Sequence, residues 1–226
     1  MEIDVNPRKI FYRLLFGIIV LLILNIVIMF INIKFGHYRT MNILDFDHEA
    51  NIPTLYSTFL LFICSTLLFL ISKTRKSSGS PYVLWKILGF IFLFLAVDEI
   101  TMLHERIHAP LQRVFGSSGI MFFAWLIPYA LAVIVLGVLY LRFLMSLPKK
   151  TALLFILSGG IFVLGAIGFE MLGGLESKAH GFDTLRYYIL YNFEEVFEML
   201  GVTIFIYSLL SYYKNLNNVI TINIKN

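Results

Sequence analysis

Six apolar runs separated by short polar breaks constrain this chain more than any other feature. Each is about the 20 residues that a helix needs to cross a hydrocarbon core of about 30 Å. They fall at residues 11–33, 54–72, 83–104, 120–146, 152–173 and 187–212. The runs are continuous rather than alternating, and in lipid only a helix satisfies its own backbone without closing a barrel. The sequence therefore predicts an all-α, polytopic transmembrane bundle of about six spans, with residues 1–226 forming one domain. Only 14% of residues are charged, against roughly a quarter in soluble domains. The first run follows Arg8, Lys9 and Arg13, outlasts a signal-peptide core and has no small-residue cleavage site after it, so it is expected to be retained. A single cysteine, Cys64, excludes an intrachain disulfide and any cysteine-based metal cluster. The longest connection, residues 34–53, leaves no room for a soluble domain, so function must lie in the bundle and its loops.

Charge fixes the expected orientation, because cytoplasmic loops collect lysine and arginine. One set of helix ends carries twelve Lys/Arg, at positions 8, 9, 13, 73, 75, 76, 86, 142, 149, 150, 214 and 225, and two acids, Glu2 and Asp4. The opposite set carries six Lys/Arg, the other twelve acids and all five histidines. Both termini are thus expected in the cytoplasm, in a multi-pass protein of the plasma (inner) membrane. The net charge of +4 is segregated by side, which points to the lipid bilayer as partner and not to nucleic acid.

Polar residues that break the apolar runs mark the candidate site. The third run closes through Asp98 and Glu99 to His104-Glu105-Arg106-Ile107-His108, with Pro110 expected to stop the helix. On one continuous helix, Asp98, Thr101, Glu105 and His108 share a face, His104 adjoins it and Glu99 is turned away. The fifth run carries Glu170 about one turn below the outer surface, after Gly165 and Gly168, which permit a close helix neighbour. The sixth carries Glu194, Glu195 and Glu198 on one arc, roughly 12 to 18 Å from its outer end.

An unpaired carboxylate at a helix centre costs roughly 2.5–3.5 kcal/mol, so Asp98, Glu99, Glu170, Glu194, Glu195 and Glu198 together would cost on the order of 15–20. Arg106, Arg113 and Arg186 lie near the interface and cannot neutralise them all. Protonation, water access or a bound cation must do the rest. Carboxylates with imidazoles suit a divalent transition metal, zinc first, with iron or manganese as alternatives. His104-Glu105-x-x-His108 is literally H-E-x-x-H, two zinc-binding histidines one turn apart with a glutamate as general base. Glu105-x-x-His108 is also one Glu-x-x-His pair, of which di-iron bundles carry two; no second is present.

Ordinary readings stand beside these. His104 and His108 suit an interface with headgroups, and Met102, Met171 and Met199 suit packing. Asp45, Asp47, His48 and Glu49 read as a solvated loop leading into a helix N-terminus. Three intramembrane glutamates within five residues have no comparably ordinary reading.

The segments Asp47-His48-Glu49-Ala50-Asn51-Ile52-Pro53-Thr54, Val97-Asp98-Glu99 with Leu103-His104-Glu105, and Glu194-Glu195 with Glu198-Met199 resemble an uncharacterised family of multi-span bacterial membrane proteins. The resemblance covers residues 43–213 and omits His108. It implies a shared outward-facing site and no particular reaction.

The expectation is a membrane-embedded, metal-dependent hydrolase of a lipid-linked or periplasmic substrate. Asp98, His104, His108, Glu170, Glu195 and Glu198 would hold the metal, and Glu105 or Glu194 would act as general base. A cation or proton channel or transporter with an acidic outer vestibule is the alternative, and a structural or assembly subunit a third. Against conduction, the cytoplasmic half of every span is nearly free of polar residues.

Overall fold

In the computed structural model, residues 2–4, 6–35, 39–115, 125–217 and 221–223 are described. The chain is helical throughout, apart from a two-stranded ribbon at its ends. The helices are α1 (Pro7–Phe35), α2 (Ile52–Ser77), α3 (Val83–Thr101), α4 (Leu103–Phe115), α5 (Leu126–Ser146), α6 (Lys149–Val163), α7 (Glu170–His180) and α8 (Leu185–Asn217). A 3-10 turn spans Arg39–Leu44, and one turn of π-helix, Leu164–Phe169, joins α6 to α7. Strands β1 (Glu2–Asp4) and β2 (Thr221–Asn223) pair antiparallel, so the two ends of the chain lie together on one side of the bundle.

Among the described residues, five helical runs are long and apolar enough to cross a membrane: α1, α2, α5, α6 continued through α7, and α8. That is one fewer than the sequence suggested. The sixth, α3, has 19 residues and packs along α2, but it is too short to offer a stretch of 18 residues free of one of its three charges, Lys86, Asp98 and Glu99. Two expectations about its outer end fail. The helix does not run on through His104: Met102 takes a left-handed conformation (φ 53°, ψ 41°), α3 stops at Thr101 and α4 starts in a new direction. Nor does Pro110 stop the helix, since α4 continues through it to Phe115. The proline forfeits the bond to the Arg106 carbonyl, and Arg106 is exposed, so water can satisfy that group.

The most buried span, α8, is the hub of the bundle and packs against α1, α2, α6, the π turn and α7. Two glycines allow its closest approach. A Cβ on Gly201 would meet the Phe162 nitrogen at 2.7 Å and the Ser158 carbonyl at 2.8 Å, and one on Gly165 would meet the Glu194 carbonyl at 2.8 Å. Gly168 has no such role, because a Cβ there meets only Leu164 of its own turn.

At the end of the bundle near the chain termini, Trp85 of α3 stacks on Tyr212 of α8 at 4.8 Å and meets Phe143 and Phe155 edge-on. Phe92 and Phe205 stack one layer farther in. The polar groups of this half bond mainly to backbone: Ser65 Oγ donates to the Gly89 carbonyl, Ser72 Oγ to that of Tyr82 and Tyr140 to that of Leu84. This end is a dry aromatic plug.

Candidate functional site

The acids gather at the other end, and four separate segments bring them together. The first is the loop before α2. Asn51 caps that helix, its Oδ1 accepting from the Thr54 nitrogen and hydroxyl, while its Nδ2 donates to the carbonyls of Asn42, Asp45 and His48. One side chain thereby starts α2 and folds residues 42–49 back over the helix ends. Asn25, fully buried in the first span, holds the same loop from behind: its Oδ1 accepts from the Phe46 nitrogen, and its Nδ2 donates to Asn192 Oδ1 of α8 at 2.6 Å. The loop thus delivers Glu49 inward.

The second segment is the break between α3 and α4. Asp98 accepts from the His104 nitrogen at 2.9 Å and from the Tyr129 hydroxyl at 2.6 Å, so it caps α4 and ties it to α5. His104 then lies between two carboxylates, with Nε2 3.1 Å from Glu49 and Nδ1 3.5 Å from Asp98. Burial alone would depress its pKa, but bonds to Asp98 and Glu49 outweigh that and push it up to about 11. The change of direction also reverses the helical-wheel expectation for Glu99. That side chain faces the cluster, within electrostatic range of Glu49, Glu198 and His104.

The π turn and α8 supply the remainder. The wider turn at Leu164–Phe169 leads directly into Glu170, which comes within hydrogen-bonding reach of Glu194. Glu195 and Glu198 face Glu99, Glu49 and Glu170. On the flank, the Tyr187 hydroxyl donates to Asp47 at 2.6 Å. Burial, with Asp45 and Glu170 nearby, raises the Asp47 pKa to about 6 despite that bond.

Of the residues singled out from sequence, His104, Glu170, Glu194, Glu195 and Glu198 thus share one cluster, and Asp98 adjoins it through His104. Glu105 is exposed at the margin, where partial burial and then Glu49 raise its pKa. His108 lies one turn along α4, and its side chain is outside the described part of the structure. Glu49 and Glu99 join a site for which sequence reasoning had not chosen them. The signal for Glu49 was its place in the Asp47-His48-Glu49 segment; nothing at Met102, which is not glycine, announced the turn that redirects Glu99. Tyr129 and the Asn25–Asn192 pair were also missed, although an asparagine in the middle of an apolar span was visible.

Among the described residues, the ion pairs made by the clustered acids run to His104. Glu49 Oε2 is buried and makes no hydrogen bond. No three of the described His, Cys, Asp and Glu side chains stand as close together as the ligands of one ion must. The backbone around the cluster is irregular on three sides. The two described non-glycine residues with positive φ are Ala50, beside Glu49, and Met102, between Glu99 and His104; the π turn adjoins Glu170. Such conformations are costly and concentrate where function requires them.

No curated protein and no solved structure matches the chain. A family model described as Domain of unknown function (DUF8692) matches residues 13–213, most of the 226-residue chain, and the protein belongs to that family.

Proposed function

We propose that this is an integral membrane protein whose outward-facing carboxylate and histidine site binds a divalent metal ion and hydrolyses a lipid-linked or extracytoplasmic substrate. The observation that carries this reading is the gathering of Glu49, Glu99, Glu170, Glu194, Glu195 and Glu198 within electrostatic range of one another, with Glu49 paired to His104, beside three irregular pieces of backbone. Packing gives no reason to gather so many acids, and each is costly in lipid without a counter-charge. The buried, unbonded Oε2 of Glu49 is the kind of atom that a cation would satisfy. In this reading the metal draws these side chains inward to complete its shell.

Glu49, His104, Glu170, Glu195 and Glu198 are the ligands in this reading. His108, one turn on along the same helix, is a candidate to join them. Asp98 acts one step removed, fixing His104 through Nδ1 so that Nε2 points at the cluster, as carboxylates behind metal-binding histidines do. The bound ion supplies Lewis acidity for hydrolysis. Glu194, beside Glu170, is placed to take the proton of an attacking water, with Glu105 the alternative at the exposed margin. The excess of oxygen donors favours manganese or iron, with zinc the other choice.

The aromatic plug behind the cluster supports a blind-ended site over an ion pathway. The paired chain ends and the basic residues on their side support a cytoplasmic location for both termini. The site then faces the extracytoplasmic side of the inner membrane.

Metal content measured by elemental mass spectrometry, on protein purified in mild detergent, tests the reading. Near-stoichiometric metal is expected in the wild type and in Glu176→Gln, which lies outside the cluster, and loss is expected in Glu195→Gln, Glu49→Gln and His104→Ala. Folded protein that takes up no zinc, iron or manganese on reconstitution would overturn it.

A further inference from the structure

We propose that the cluster holds two divalent cations, the second in a deeper position between Glu99, Glu198 and Ser57. This rests on the metal reading above and extends it to a second position that shares Glu198 with the first. Ser57 lies on α2, a turn and a half inside the helix, and is 6% exposed. Serines within helices ordinarily donate to the carbonyl four residues back. Ser57 Oγ does not, and it makes no hydrogen bond within the chain. It lines a closed cavity of about 10 Å³ together with Glu99 and Glu198, the space that one water or ion occupies.

Three helices thus contribute oxygen-bearing residues to the wall of one small space: Ser57 from α2, Glu99 from α3 and Glu198 from α8. The remaining wall is apolar, including Leu61, Phe162 and Val202, so ligands must come from these three side chains and from any water the ion carries. Glu198 is held in place from behind, because its Cγ lies 2.9 Å from where a Cβ on Gly165 would stand. Charge selects the occupant. A divalent ion neutralises two ionised carboxylates at once and satisfies the Ser57 hydroxyl as well, which neither a water molecule nor a monovalent ion does. All-oxygen coordination fits Mn²⁺, Mg²⁺ or Ca²⁺.

The test loads the full-length protein with Mn²⁺ in detergent and reads manganese per chain by elemental analysis, and ion–ion coupling by electron paramagnetic resonance. Two manganese per wild-type chain with a coupled signal are expected. Ser57→Val, which removes the hydroxyl and fills the cavity, and the near-isosteric Glu99→Gln should each retain one, with an isolated-ion signal. If the bulkier valine prevents folding, Ser57→Ala and Glu99→Gln carry the comparison. One manganese in the wild type would overturn the second site while leaving the proposed function standing. Two manganese in the wild type and in both variants would overturn the placement at Ser57. None in the wild type would remove the proposed function and this site together.

Discussion

The two ends of the bundle use opposite means to the same length of helix. Near the chain termini, Trp85, Tyr212, Phe143, Phe155, Phe92 and Phe205 fill space ring against ring, and Ser65 and Ser72 bond to backbone carbonyls. At the outer end, the same α3 and α8 present Glu99, Glu194, Glu195 and Glu198 to one another, and the backbone departs from regular helix at Ala50, at Met102 and along Leu164–Phe169. The first arrangement is what stability alone selects in a membrane. The second costs stability, and its persistence in the same helices is the physical argument that it serves a ligand.

The comparison predicts that damage at the two ends reads out differently. The largest effect belongs to the plug: Trp85→Ala should destabilise the protein by about 3–5 kcal/mol, seen as a lower unfolding midpoint in detergent, with metal content per folded molecule unchanged. A mild effect there would mean that the aromatic layer is not the stabilising half. Next, Glu195→Gln combined with Glu198→Gln should stabilise the metal-free protein by about 2 kcal/mol, because it removes like charges from lipid, while abolishing metal uptake. A loss of stability in chelator would contradict the view that these acids are functional and not structural. Asn51→Ala, which releases both the α2 cap and the loop carrying Glu49, should cost about 1–2 kcal/mol and weaken metal affinity as well; the titration with metal distinguishes this from a simple cap loss.

The smallest effect is on pH. Asp47 binds its proton more tightly in the fold, at about 6, than in an unfolded chain. Its contribution is therefore present at low pH and lost as pH rises from about 4 to 6. His104 likewise stabilises the fold below its unfolded value of 6.5, and that contribution is lost as pH climbs toward about 11. Unfolding midpoints of metal-free protein should fall across both windows. Asp47→Asn should flatten the acidic one and His104→Ala the alkaline one; an unchanged slope in either variant would reject that assignment.

The helical class and the lengths of the runs follow from the sequence alone, because lipid admits one way to satisfy a spanning backbone and about 20 apolar residues are its mark. So does the presence of costly acids at one set of helix ends, since their price in lipid does not depend on their neighbours. That Glu170 meets Glu194 and that Glu99 comes within range of Glu195 and Glu198 was not legible, because periodicity within a helix says nothing about which helices are adjacent; α8 meeting α2, α6 and α7 is a matter of packing. The roles of Glu99 and Asp98 depend on a single left-handed residue, Met102, whose side chain carries no preference for that conformation. A wheel drawn through it pointed Glu99 away and Asp98 in, whereas tertiary contacts with Tyr129 and Glu49 hold the turn that places Glu99 in the cluster and Asp98 behind His104. The sequence determined that acids interrupt the apolar runs at one set of helix ends; the packing of helices around a bent end of the bundle decided which of them meet.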